Sequence, residues 1–457
     1  MRSRAARARV AIVATAFGGA YALIGLIPHW KFASGPFDLV IFTQAIWYFS
    51  RFEIGPDTIR SLAHPFMEHF SPAIMVFAPV FWLSASSESL IVAQAVVLAA
   101  SIWPVHAFLR DRLPARTALI FTCVYGSFWP LQLTAERDVH ELALAPLVIA
   151  VAVLALSRRR WAWLWAACVA MSMVKEDLIP MIAAFGIMTM VQGERRHGAG
   201  LVVYAIAAMA AVLWIIFPAI GAPQGGVFWA DYQWMLQEPW RIPLALFDDE
   251  AKVRSWLAWL GPLALLPAFS PVALLGIPVA ASRLLSESGM LWGPGDYYSA
   301  PLAPVLVMAA GDGLRRLQDR LPESWRSEAV LSAVGCVVLV LTLVAPRGLP
   351  LGQLLMPDTY TMPAWRETAL QALALVGSED SVAALHEVLA QVSPRAGLYP
   401  LGRHFTPRQD VDVVVLSHPI AAEREGEVSG LRAQYAAWGF ATVFDVDGWV
   451  VLKRRRE

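Results

Sequence analysis

Cysteine is scarce in this chain: three in 457 residues, Cys123, Cys168 and Cys336, each inside an apolar run. That excludes a disulfide framework or a cysteine-built metal module and leaves three small core residues. Charge is also scarce. Only 16% of residues are Asp, Glu, Lys or Arg, against about a quarter in a soluble domain. The formal net charge is zero, so nothing in the charge balance points to nucleic acid as a partner. No H-E-x-x-H zinc motif is present, and residues 347–457 hold neither a glycine-rich phosphate loop nor a nucleophile motif. The arginine-rich start (Arg2, Arg4, Arg7, Arg9) runs into an apolar stretch without a small-residue cleavage site. It reads as an uncleaved anchor whose N-terminus stays in the cytoplasm.

What the chain does have is apolar mass, with 57% hydrophobic residues and a mean hydropathy of +0.53. The fold class is an α-helical polytopic membrane protein. Spans are expected near 10–28, 88–109, 115–133, 142–157, 161–174, 178–192, 199–221, 255–269, 271–286, 299–314 and 328–346, about eleven crossings by the span-length rule. Arginines recur at every second loop: Arg110, Arg112 and Arg116; Arg158–Arg160; Arg195 and Arg196; Arg315, Arg316 and Arg320. By the positive-inside rule these loops and the N-terminus share the cytoplasmic side. The expected organisation is a membrane domain over 1–346, with a long external loop at 29–87, and an extracytoplasmic α/β domain over 347–457.

Within the loop, 41–49 reads as an amphipathic helix lying in the membrane interface, while 73–83 is too short to span. In the tail, 368–375 and 381–392 read as helices, and 411–416 and 449–452 as strands. A hairpin is expected to turn at Asp447-Gly448. Spans 161–174 and 178–192 are short, and Lys175-Glu176-Asp177 separates them. A helix of 14 residues reaches about 21 Å, less than a ~30 Å hydrocarbon core. Their junction is therefore recessed below the outer surface, as at broken-helix binding sites in membranes.

Three clusters of ionisable residues fall on the external side: Asp38 with His64, Glu68 and His69; Glu136 to Glu141; and Lys175 to Asp177. Charge kept at such depth usually has a use. Four segments carry a resemblance: Phe37-Asp38-Leu39 with Gln44-Ala45-Ile46-Trp47; His69-Phe70-Ser71-Pro72; Asp138 with His140-Glu141; and Val174-Lys175-Glu176-Asp177-Leu178. Tyr298-Ser299-Ala300-Pro301-Leu302 is a fifth. Together they resemble a family of bacterial and archaeal membrane proteins of unassigned function. That family is in turn similar to a distant branch of the GT-C glycosyltransferases, polytopic enzymes that take sugar from a polyprenyl-phosphate donor outside the cytoplasm. The chain departs from the family at Thr43, often acidic there, in lacking a Pro between His140 and Glu141, and in having Asp296-Tyr297-Tyr298 where a His is common.

The resemblance implies transfer of a sugar from a polyprenyl-phosphate-linked donor to an extracytoplasmic acceptor. Such chemistry needs a carboxylate for the acceptor proton and positive charge for the departing phosphate. Asp38 is the candidate base; its bland alternative is an N-cap for the following helix. Lys175 and Arg137, with Arg283 behind them, are candidates for the phosphate, and an internal ion pair is the alternative for Lys175. Glu176, Asp177, His64 and His69 complete the expected binding surface. Tyr297 and Tyr298 could stack on a sugar or belong to an interfacial belt. Asp138, His140 and Glu141 are a tentative ligand set for Mg²⁺ or Mn²⁺; otherwise they form a hydrogen-bonded polar lining. Two other readings stay open: a transporter or lipid flippase with an anion site at Lys175, and an inactive membrane scaffold.

Overall fold

The computed structural model describes residues 2–455, apart from 224–225, 324–325, 345–347, 403, 418 and 421–424. Among the described residues, every expected span overlaps helix. Four helices are long and apolar enough to cross a membrane unaided: Arg7–Trp30, Ser87–Arg110, Ala115–Glu136 and Arg195–Ala219. The rest are shorter, including Trp161–Val174 and Ile179–Val191 on either side of Lys175. Proline opens many of them, as at Pro130, Pro146, Pro180 and Pro278, positions where a missing N–H goes unnoticed. The expected span at 255–269 is shorter than read. Its helix, Glu250–Leu260, stops at a turn with Ala264 and Leu265 in the left-handed region, followed by the short 3-10 helix Leu266–Phe269. The boundary expected at 346/347 lies outside the described residues.

The arginine-bearing loops meet at one end of the bundle. There Asp312 accepts hydrogen bonds from Arg112 (2.9 Å), Arg316 (2.7 Å) and Ser270 (2.6 Å). The ionisable clusters and the C-terminal sheet lie at the other end. Helices Ile179–Val191 and Arg195–Ala211 pack through glycine: a Cβ on Gly186 would stand 2.7 Å from the Gly198 carbonyl.

The sheet is five-stranded: β1 (Val382–Leu385), β2 (Leu398–Leu401), β3 (Val413–Ser417), β4 (Phe440–Val446) and β5 (Trp449–Arg454), in the order β2-β1-β3-β5-β4. β1 pairs in parallel with β2 and β3, while β5 is antiparallel to β3 and β4. The expected hairpin is present, turning on Asp447 and Gly448, both at positive φ. The expected helix at 381–392 is a strand for its first half and becomes helix only at His386–Val392. All four β1 residues are buried. A parallel strand covered on both faces shows no alternation, so its Val-Ala-Ala-Leu passes for helix.

Helix Ile41–Phe49 is buried on more than its apolar side. Thr43, Gln44, Ala45 and Ile46 are buried, because the C-terminal domain covers the side expected to be wet. Gln44 donates to the Ala396 carbonyl (2.6 Å) and to Thr58 Oγ1 (2.8 Å), and Thr58 Oγ1 donates to the Leu398 carbonyl (2.5 Å). Gln391 and Arg366 donate to the carbonyls of His29 and Trp30. The loop 29–87 and the sheet are thereby hydrogen-bonded into one unit.

Candidate functional site

Asp38 sits in a π-helical turn, Pro36–Val40, that runs into helix Ile41–Phe49. It caps no helix: the N-cap position is Val40, without a side-chain bond. The N-cap reading therefore falls. Its carboxylate instead faces the Tyr297 hydroxyl at 3.5 Å. Burial, then the neighbouring Glu141 and Asp138, push its pKa up to about 7, against the pull of Arg60.

One side-chain amide makes three of the bonds that hold the loop 137–140. Gln94 Nε2 donates to the carbonyls of Thr134 (3.1 Å) and Asp138 (2.6 Å), and its Oε1 accepts from His140 N (3.1 Å). Asp138 is left-handed, φ 57°, and its side chain accepts from Gly35 N at 3.0 Å. Burial raises its carboxyl to about 6. His140 is fully buried and stacks on Tyr297 with ring centroids 3.9 Å apart; Tyr297 in turn lies 4.6 Å from Tyr298.

Lys175 is extended between two helices, and its ammonium lies 3.0 Å from Glu141. The internal-pair reading of Lys175 holds, since an unpaired cation at this depth would be costly. Glu176 staples the first loop, accepting from Phe70 N (2.8 Å) and meeting His69 Nδ1 at 2.7 Å. Arg283 donates to Ser299 and to the carbonyls of Leu291 and Gly293, and it also lines the cavity that holds Lys175.

A cavity of about 360 Å³ gathers Asp38, His69, Glu141, Lys175, Asp177, Tyr297 and Tyr298. Arg60, ion-paired to Glu68, and Asp231 and Tyr232 also line it. None of these last three carried a signal in the sequence beyond lying in a loop between expected spans. The cavity shares Glu68, Asp177, Tyr232 and Ser282 with an apolar cleft of about 370 Å³, walled by Met209, Leu213, Phe217, Pro278 and Leu285. Glu176 faces that cleft. Asp38 also lines a second cavity of about 470 Å³, together with Glu136, Arg137 and Asp138.

Three expectations are corrected by this geometry. Arg137 does not join Lys175; it is half-exposed, near Asp296 at 3.7 Å, in the second cavity. His64 lines neither cavity, its Nδ1 accepting from Phe66 N. Asp138, His140 and Glu141 do not converge as metal ligands: one is turned to Gly35, one is sandwiched behind Tyr297 and one is paired with Lys175. Among the described residues no three His, Cys, Asp or Glu side chains form a metal site. The scaffold reading expected Asp38 to point away from any cavity; it lines two.

The fold has solved counterparts. It is similar to ArnT from Cupriavidus metallidurans bound to undecaprenyl phosphate, at TM-score 0.56 and 12% identity over 97% of each chain. The apo state of the same protein aligns at TM-score 0.55 and 13% identity, over 99% of this chain and 98% of that one. The architecture is thus the ArnT-like GT-C fold, helical with a small C-terminal sheet domain. No curated protein matches the chain. Residues 28–451 match a family described as predicted membrane protein (DUF2079), and it is to this family that the chain belongs.

Proposed function

We propose that the protein is a GT-C-type glycosyltransferase that moves a sugar from a polyprenyl-phosphate carrier to an acceptor hydroxyl on the extracytoplasmic side. The observation that carries this reading is the position of Asp38, a carboxyl in the walls of two cavities. One of those cavities is continuous with an apolar cleft.

In this reading the prenyl chain lies in the cleft among Met209, Leu213, Phe217 and Leu285. The phosphate stands at Lys175, whose ammonium has hydrogens beyond the one given to Glu141. Arg60 adds positive charge farther along the same cavity. The acceptor arrives through the second cavity that Asp38 lines. Its oxygen attacks the anomeric carbon, the bond from that carbon to the phosphate oxygen breaks, and the electron pair leaves on the phosphate. The hydroxyl proton passes to Asp38. A base with a pKa of about 7 suits that task near neutrality. No metal is assigned a part. The ArnT structure with undecaprenyl phosphate supports a lipid phosphate as ligand for this fold, and the arginine loops at the other end support an extracytoplasmic site.

The test is reconstitution in vesicles with a panel of polyprenyl-phosphate-linked sugars, reading release of polyprenyl phosphate. D38N should lower turnover by about 10²–10⁴-fold, the usual worth of a general base, with thermal unfolding unchanged or improved. Full turnover by folded D38N would end the assignment.

A further inference from the structure

We propose that the second cavity lined by Asp38 binds a membrane lipid with a hydroxyl-rich, uncharged headgroup, which enters along the first helix beneath the segment 350–359. The inference rests on the transferase reading for what happens at Asp38, but the binding claim can be tested without turnover.

The cavity at Arg137 does not end at the loop. It shares Pro28, Ala33 and Glu136 with a further hollow of about 210 Å³. That hollow is walled by Leu23, Ile24 and Ile27 of the first helix and roofed by Pro350, Gln353 and Leu354; Lys31 and Thr359 line it too, the Lys31 ammonium donating to the Asp358 carbonyl at 3.3 Å. The roof is pinned at its inner edge, where Gln132 Oε1 accepts from Leu351 N at 3.0 Å. Its outer edge is apolar and uncovered, with Leu355 82% and Met356 58% exposed, and Leu23 opposite is 39% exposed. A passage with mostly apolar walls thus leads along the exposed flank of the first helix to a polar chamber that ends at Asp38. A water-soluble acceptor has no use for such a passage, whereas an amphiphile fits both halves of it.

Charge selects the headgroup. The chamber presents Asp38, Glu136 and Asp138 against one cation, Arg137, whose nearest acid, Asp296, stands at 3.7 Å. Whether protonated or ionised, these carboxyls exchange hydrogen bonds with hydroxyls, and a guanidinium donates to the hydroxyl oxygens, whereas a phosphate or sulfate would meet their negative charge with Arg137 alone to offset it. A sugar or polyol headgroup supplies both. It also brings a hydroxyl to Asp38, which lines the cavity that holds Lys175 as well.

The full-length protein in nanodiscs is photolabelled with a diazirine-tailed monoglycosyl diacylglycerol, and separately with a diazirine-tailed polyprenyl phosphate. Labelled residues are located by mass spectrometry. The glycolipid should label residues 23–33 and 350–359, and A33W, at an exposed position shared by chamber and hollow, should cut that label about tenfold. A33S should leave it unchanged. Unlabelled phosphatidylglycerol and phosphatidylethanolamine should compete at least about tenfold less well than the unlabelled glycolipid. Glycolipid label spread evenly around the bundle and indifferent to A33W overturns the proposal, as does equal competition by either phospholipid or polyprenyl-phosphate label concentrated at 23–33. If the polyprenyl phosphate fails to label the cleft at 209–217 while the glycolipid result stands, the donor reading falls and the lipid site does not.

Discussion

The Lys175 ammonium lies 3.0 Å from the Glu141 carboxylate, with each side chain only 5% exposed. The contact joins the turn after one helix to the break between two others, so it fixes the polar floor of the cavity. Removing one partner leaves a buried charge alone, at a cost of about 3–5 kcal/mol. E141L should therefore lower the unfolding midpoint in detergent sharply, and K175M should do the same. The double variant E141L/K175M should recover most of the loss. If the two losses simply add, the pair is not coupled in this way.

Asp38 dictates a pH profile. As a base it works only when deprotonated, so turnover should rise with pH to a plateau, with its midpoint near the carboxyl's pKa of about 7. Stability runs the other way. Between the ordinary carboxyl pKa of ~3.9 and about 7, the folded state keeps a proton that the unfolded chain has lost. Stability therefore falls as pH rises through that window. Chemical denaturation of wild type and D38N at several pH values checks this, and the difference between them should grow from the acidic to the neutral side.

His140 separates a metal site from a packed wall. Its ring is fully buried, both nitrogens are without a hydrogen-bond partner among the described residues, and it stacks on Tyr297. H140F keeps the stack and removes two unsatisfied polar atoms. It should be neutral or stabilising by about 1 kcal/mol, with turnover largely retained. H140A, which empties the space behind Tyr297, should be destabilising by about 2–4 kcal/mol. Loss of turnover in a stable H140F protein would revive a ligand role for the imidazole.

The join between loop and sheet is testable by exchange. Gln44 and Thr58 satisfy the carbonyls of Ala396 and Leu398. The double variant Q44L/T58V leaves those carbonyls unpaired, and each lost bond costs about 1–3 kcal/mol when the group stays buried. Amide exchange should accelerate over 396–401 and over 41–58 together. Acceleration in only one of the two segments would show that they do not move as a unit.

Much of the helical plan was legible because a membrane demands long apolar runs with their backbone bonds satisfied internally. The helix break at 175–177 was legible from span length alone. The partners of the charges there were not. Glu141 and Lys175 come from different helix junctions, and nothing local in the sequence pairs them. Nor did the run 136–141 announce that it serves two compartments. Backbone turning at Asp138 and the extended His140 send Arg137 and Asp138 to one side, Glu141 to the other, and His140 between. Adjacent letters therefore end in three environments. β1 was misread for the opposite reason, since burial on both faces erases the period that marks a strand.

The bonds from Gln44 and Thr58 to the sheet have a consequence for anyone recombining members of this family. The modular seam does not coincide with the end of the last span. A chimera that exchanges the C-terminal domain alone keeps a foreign loop beneath it, and Asp38 rides on that loop. The exchangeable piece is the domain together with residues 29–87, two stretches far apart in the chain that must be taken from one parent.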